Sequence, residues 1–203
     1  MSVKRPKVGT LTFDSEGTEQ GRYHSRKLHV PSQYSGLTIG RGYDLKTKKA
    51  IKVQKDLVNA GLKVSEAFLL SKAAGLYGSQ AKNFISSNSL AHFEISQDQQ
   101  VKLFLISYLE EEAEAKRLCS KPDVTKKYGD GNWDKLDPRI KAVVIDLKFR
   151  GDYTGRTRKF LQQYIVQNDL SGFRKVIANE ANWTEQRVPT DRFQRRISYL
   201  DLH

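Results

Sequence analysis

The hydrophobic period of this chain changes at Leu45, and a fold built from one kind of secondary structure does not accommodate both sides of the change. Before it, "VGTLTF" and "SGLTIGRGY" are short, β-branched and bounded by glycine, the pattern of brief strands and strand-like turns. After it, apolar residues recur at helical spacing. "KKAIKVQKDLVNAGL" sets Ile51, Leu57 and Val58 on one face and stops at Gly61, and "SEAFLLSKAAGL" does the same with Phe68, Leu69, Ala73 and Leu76. "SQDQQVKLFLISYLEEEAEAKRL" carries the strongest signal: Ser96 and Gln99 form a capping box ahead of an apolar run in which Val101, Leu105, Leu109 and Ala113 repeat. A helix over 96–118 follows, long enough to act as a strut. "DPRIKAVVIDLKFRG" starts on Pro138 and ends at Gly151, with Ile140, Val143, Val144 and Leu147 facing inward. Shorter helices follow in "RTRKFLQQYIVQND", "SGFRKVIANE" and "PTDRFQRRISYL". The predicted class is α+β: one domain over 1–203, with a small β-containing N-terminal lobe at 1–62 and a larger helical lobe at 63–203.

Charge narrows the partners. The 203 residues carry a net charge of +12, which favours an anionic polymer or surface without choosing among nucleic acid, acidic membrane and bacterial wall. No apolar run approaches ~18 residues, so membrane insertion is not expected. "MSVKRPKVGTLTF" has a basic start but no apolar core, so no secretory signal is expected and delivery falls to another route or to lysis. The one cysteine, Cys119, excludes an internal disulfide framework and a Cys-based zinc site, and its place at the end of an amphipathic helix reads as a half-buried packing residue.

The chemistry concentrates in "FDSEGTEQGRYHSRKLHVPSQYSGLTIGRGYDLK". A carboxylic acid and a carboxylate on opposite sides of a cleft are the equipment for glycoside hydrolysis: one protonates the leaving oxygen, the other attacks the sugar or orients a water. Glu16 and Asp44 fill these parts if the segment between them folds back, which the glycines at 36, 40 and 42 permit. Thr38 adds a hydroxyl suited to holding a water. Spacing alone does not separate this pair from ordinary surface acids.

The motifs Glu16-Gly17 and Thr38-Ile39-Gly40-Arg41-Gly42 resemble the catalytic segment of the pesticin-like muramidases, relatives of phage lysozyme. The resemblance covers most of the chain and is strongest at 13–45 and 136–200, where a core helix, shorter helices with a Trp and the closing "VPTDRFQRRISYL" resemble the lysozyme helical lobe. Phage lysozymes place their catalytic aspartate between the glutamate and the threonine, but residues 17–37 hold no aspartate here. The order Glu, Thr, Asp resembles the pesticin branch. It implies a lysozyme-like fold, Glu16 as general acid, Asp44 with Thr38 as the water-positioning pair, and cleavage of the β-1,4 bond between N-acetylmuramic acid and N-acetylglucosamine with inversion. Peptidoglycan glycan strands are then the partner, with an immunity protein as a second candidate. The protein is expected to be a monomer that uses no cofactor and no metal. Tyr43, Gly40 and Arg192 are the expected substrate contacts, with Arg192 also placed to orient the acid and Tyr23 a further stacking candidate. Glu19 rivals Glu16 as the acid, and Arg187, Arg195 and Arg196 compete with a solvated-face reading.

Other readings are weaker. His24 and His29 lack the further ligands a metal site needs. "GRGYDL" has Leu45 where a dinucleotide fingerprint needs its third glycine. Nucleic-acid binding would use the basic, aromatic-interleaved "DRFQRRISYL" and "RTRKF", but lysine and arginine are scattered and no nucleic-acid-binding motif is present. A wall-binding relative without catalysis is the remaining alternative.

Overall fold

Gly40 and Gly42 take φ of +65° and +82°, and the turn they make folds Thr38–Ile39 (β1) against Tyr43–Asp44 (β2). The strands are antiparallel, with Thr38 opposite Asp44 and Ile39 opposite Tyr43. His29 adds a backbone bridge to Thr38 on the other side. This computed structural model describes residues 3–21 and 24–202. Among them, the small sheet stands in a mostly helical chain, so the class is α+β.

The chain divides into two compact units, residues 1–107 and 108–203. In the first, the stretch predicted as a strand, "VGTLTF", is instead a helix, Thr10–Ser15 (α1). Its β-branched residues favour a strand locally, but a helix buries Leu11, Thr12 and Phe13 together. Phe13 meets Phe104 edge to face at 5.1 Å. The hairpin residues Leu37, Ile39, Tyr43 and Leu45 form one core with Val53 and Leu57 of Ala50–Asn59 (α2), Ala67 and Leu70 of Val64–Ser71 (α3), Ala81 of Gly78–Ser87 (α4), and Leu103 of Gln97–Cys119 (α5). Each large side chain so buried contributes about 1.5–3 kcal/mol. The division between the two units falls at 107/108, within α5.

The capping box forms: Ser96 N donates to Gln99 Oε1 at 2.8 Å, and Gln99 N to Ser96 Oγ at 3.2 Å. The buried face of α5 differs from the predicted one. Leu109 is 55% exposed, while Leu103, Phe104 and Tyr108 are buried together with Gln100 and Ser107. Polar members of that face hide it from a hydrophobic pattern. Ile51 and Phe68, also predicted inward, are exposed. On α2 the inward stripe includes Asp56, whose carboxylate accepts the Tyr43 hydroxyl at 2.7 Å.

The second unit contains Pro122–Tyr128 (α6), Pro138–Arg150 (α7), Arg158–Val166 (α8), Leu170–Ala178 (α9) and Thr190–Leu200 (α10). α7 starts with Pro138 after an Asp137 cap and ends at Gly151 with φ +91°. The four inward residues expected on α7 are buried, and so is Asp146. Cys119, half-buried, lies 3.1 Å from Tyr153 Oη.

Asp146 is an ion-pair hub. It accepts from Arg192 Nη2 at 2.7 Å and Arg196 Nε at 2.7 Å, and Arg196 Nη2 reaches Asp152 at 2.8 Å. Burial alone would raise the Asp146 pKa, but the two guanidiniums outweigh it and hold the carboxyl below its ordinary value. Its contribution to stability is therefore complete above the ordinary carboxylate range and lost as pH falls through the depressed value. Asp146→Asn leaves two guanidiniums buried without their shared carboxylate. It should cost about 3–5 kcal/mol in denaturant unfolding at neutral pH, with the gap to wild type narrowing on strong acidification.

Candidate active site

Glu16 is the residue at which α1 ends. It is half-buried, and its amide returns to Phe13 O. Arg41, from the turn between β1 and β2, fixes the backbone on both sides of it. Arg41 Nη1 donates to Phe13 O at 2.8 Å and also to Gly17 O. Its guanidinium carbon lies 4.2 Å from the centre of the Phe13 ring, and the side chain is 3% exposed. Gly17 makes room for this approach: a Cβ there would stand 2.8 Å from Ser25 Cβ and 3.3 Å from Arg41 Cδ.

Glu19 completes the anchor. Its carboxylate accepts from Arg41 Nη2 at 2.7 Å, Arg26 Nε at 2.8 Å and Gln100 Nε2 at 2.7 Å. Gln100 in turn accepts the Ser25 hydroxyl at 2.7 Å. Burial by itself would raise the Glu19 pKa, but hydrogen bonds from Gln100, Arg41 and Arg26 keep it below the usual range. A carboxyl held as an anion is a poor proton donor, which counts against Glu19 as the acid. Arg26, Arg41 and Gln100 were not among the predicted site residues. The available signal was an arginine placed between the two glycines of the hairpin turn.

Across the hairpin, Asp44 is held by backbone. Its Oδ2 accepts from Gly36 N at 3.1 Å and its Oδ1 from Lys46 N at 2.7 Å. A carboxylate offers about four acceptor positions, and backbone amides among the described residues take two of them. The Thr38 hydroxyl donates to Gly36 O at 3.3 Å and retains its own acceptor capacity. The hairpin thus pairs Thr38 with Asp44, and Arg41 links that hairpin to the segment carrying Glu16.

Three expected contacts have other roles. Tyr43 is 1% exposed, and its ring belongs to the core rather than to a stacking surface. Gly40 is buried in the turn, where a Cβ would meet Leu103 Cδ2 at 3.4 Å. Arg192 is 6% exposed and forks onto Asp146 within the second unit, leaving its guanidinium committed to structure. Arg196, read as a solvated-face candidate, is buried in the same cluster. Tyr23 lies outside the described residues. Among the described residues, no group of three or more His, Cys, Asp or Glu is arranged to hold a metal, and no helix is long and apolar enough to cross a membrane.

The chain belongs to the family described as Domain of unknown function (DUF8812), which matches residues 9–197. No curated protein matches it.

Two substitutions test this geometry. Gly36→Ala places a Cβ 2.3 Å from Asp44 Oδ1 and 2.7 Å from Lys46 N, so it should cost about 1–3 kcal/mol in thermal or urea unfolding. Arg41→Met strips the hydrogen bonds from Phe13 O and Gly17 O and one cation from Glu19. It should cost about 3 kcal/mol or more by the same measurement, while the conservative Arg41→Lys recovers only part of the loss.

Proposed function

We propose that the protein is a peptidoglycan hydrolase with a lysozyme-like fold, a muramidase that cuts the β-1,4 bond between N-acetylmuramic acid and N-acetylglucosamine. The observation that carries the reading is the Arg41 link. One side chain from the Thr38–Asp44 hairpin holds the carbonyls of Phe13 and Gly17, on either side of Glu16, and thereby ties the proton-donor candidate to the water-holding pair.

Each group has a chemical part. Glu16, as the protonated carboxyl, gives its proton to the glycosidic oxygen as the bond breaks. Asp44, fixed by two amides, and Thr38 hold a water on the opposite face of the sugar, and Asp44 accepts its proton as the water attacks the anomeric carbon. A water between acid and base requires carboxyl groups ~6.5–9.5 Å apart and yields the inverted anomer. The net charge of +12 draws the enzyme to anionic wall polymer through an attraction that salt screens.

Glu16→Gln should reduce clearing of purified peptidoglycan by about a hundredfold or more while the protein still folds. Asp44→Asn should reduce clearing as much and also lower the melting temperature, because its amide nitrogen would face one of the two backbone N–H groups the carboxylate accepts. Digestion in heavy-oxygen water, read by mass spectrometry with anomer analysis, should place the label on the reducing-end muramic acid in inverted configuration. Wall binding without clearing by the wild-type protein would reject the enzyme reading.

A further inference from the structure

The backbone groups that hold Asp44 belong to two segments that also hold a pair of exposed tyrosines. Gly36 bridges to Tyr77, and Gly78 N donates to Ser35 O at 3.0 Å. Lys46 spans the same region: its Nζ donates to Tyr34 O at 2.8 Å and lies 5.0 Å from the centre of the Tyr77 ring. Tyr34 is 71% exposed and Tyr77 48% exposed, against 1% for Tyr43 one residue before Asp44. Two large rings left in water where the neighbouring tyrosine is buried are not needed for packing. Tyr77 lines an open cavity of about 430 Å³, together with Gln33, Gly78, Ser79, Gln80 and Lys82. That volume falls in the range of small-molecule sites.

The lining selects a ligand class. Gln33, Gln80 and Ser79 each donate and accept, as sugar hydroxyls and acetamido groups do. A tyrosine offers an apolar body with a polar tip, matched to the alternating faces of a pyranose ring. Among the described residues Lys82 is the one cation in the lining, with Lys46 over the Tyr77 ring beside it, whereas a path for a phosphate backbone needs a longer run of them. We infer that this cavity is a glycan subsite that takes an N-acetylated amino-sugar unit of the strand whose bond is cut beside Asp44. The identity of the polymer rests on the hydrolase reading above; the sugar-binding chemistry of the cavity does not.

The test is calorimetric titration of a β-1,4-linked N-acetylglucosamine tetramer into the full-length chain, in a Glu16→Gln background so that the probe survives. Adding Tyr77→Ala should weaken binding about tenfold, and Tyr77→Phe should retain it. Gln80→Ala, an exposed change with no packing consequence, should weaken binding too and stands in if Tyr77→Ala fails to fold. Unchanged affinity in these variants, no binding of the tetramer, or displacement of the tetramer by single-stranded oligothymidylate would overturn the subsite. Wall clearing by otherwise wild-type protein, measured in parallel, separates the two readings. Clearing with a KM untouched by Tyr77→Ala removes the subsite and leaves the hydrolase. Tyr77-dependent tetramer binding without any clearing keeps the subsite and removes the hydrolase.

Discussion

A guanidinium buried at 3% exposure, bonded at once to two main-chain carbonyls and a carboxylate, organises the first unit. Removing such a charge from water costs several kcal/mol, so the position is tolerable only if nearly every donor is satisfied. Among the described residues Arg41 Nε has no hydrogen-bond partner, which makes the remaining bonds the more necessary. Their geometry dictates the rest: Gly17 must be small, Glu19 must be ionised, and Gln100 must turn inward from α5 to share that carboxylate. Turn, helix end and long helix are joined by polar contacts of definite direction, where apolar packing would tolerate sliding.

The second unit solves a similar problem with the signs rearranged. There a carboxylate, Asp146, is the most buried charge, and arginines from α10 close around it. Both clusters are completed by residues of their own unit. A buried ion pair adds little net stability over an apolar equivalent, but it penalises any arrangement that separates its members. Each unit therefore carries its own internal check on correct packing.

Local signals were legible and distant ones were not. The hairpin could be read because Gly40 and Gly42 bracket its turn, and the start of α5 because Ser96 and Gln99 lie three residues apart. Pro138 and Gly151 mark α7 for the same reason. α1 was hidden because Val8, Thr10 and Thr12 favour a strand until Phe13 finds Phe104, 91 residues later in "KLFLI". The buried face of α5 was hidden because Gln100 and Ser107 belong to it. In the candidate site, Glu16, Thr38 and Asp44 stand in short motifs, whereas the groups that hold the site together, Arg41, Glu19, Arg26 and Gln100, meet only through tertiary structure. Tyr43 and Arg192 show the opposite error: residue types suited to sugar contact, assigned to the interior by burial that no motif reveals.

The sulfur at the end of α5 is chemically quiet. Burial pushes the Cys119 thiol up, and its neighbour Tyr153 donates its own hydroxyl to Gln162 at 2.7 Å. A thiol that stays protonated at neutral pH is a sluggish nucleophile and a poor substrate for oxidants. With no second cysteine to pair with, the fold neither gains a crosslink in an oxidising medium nor loses one in a reducing medium.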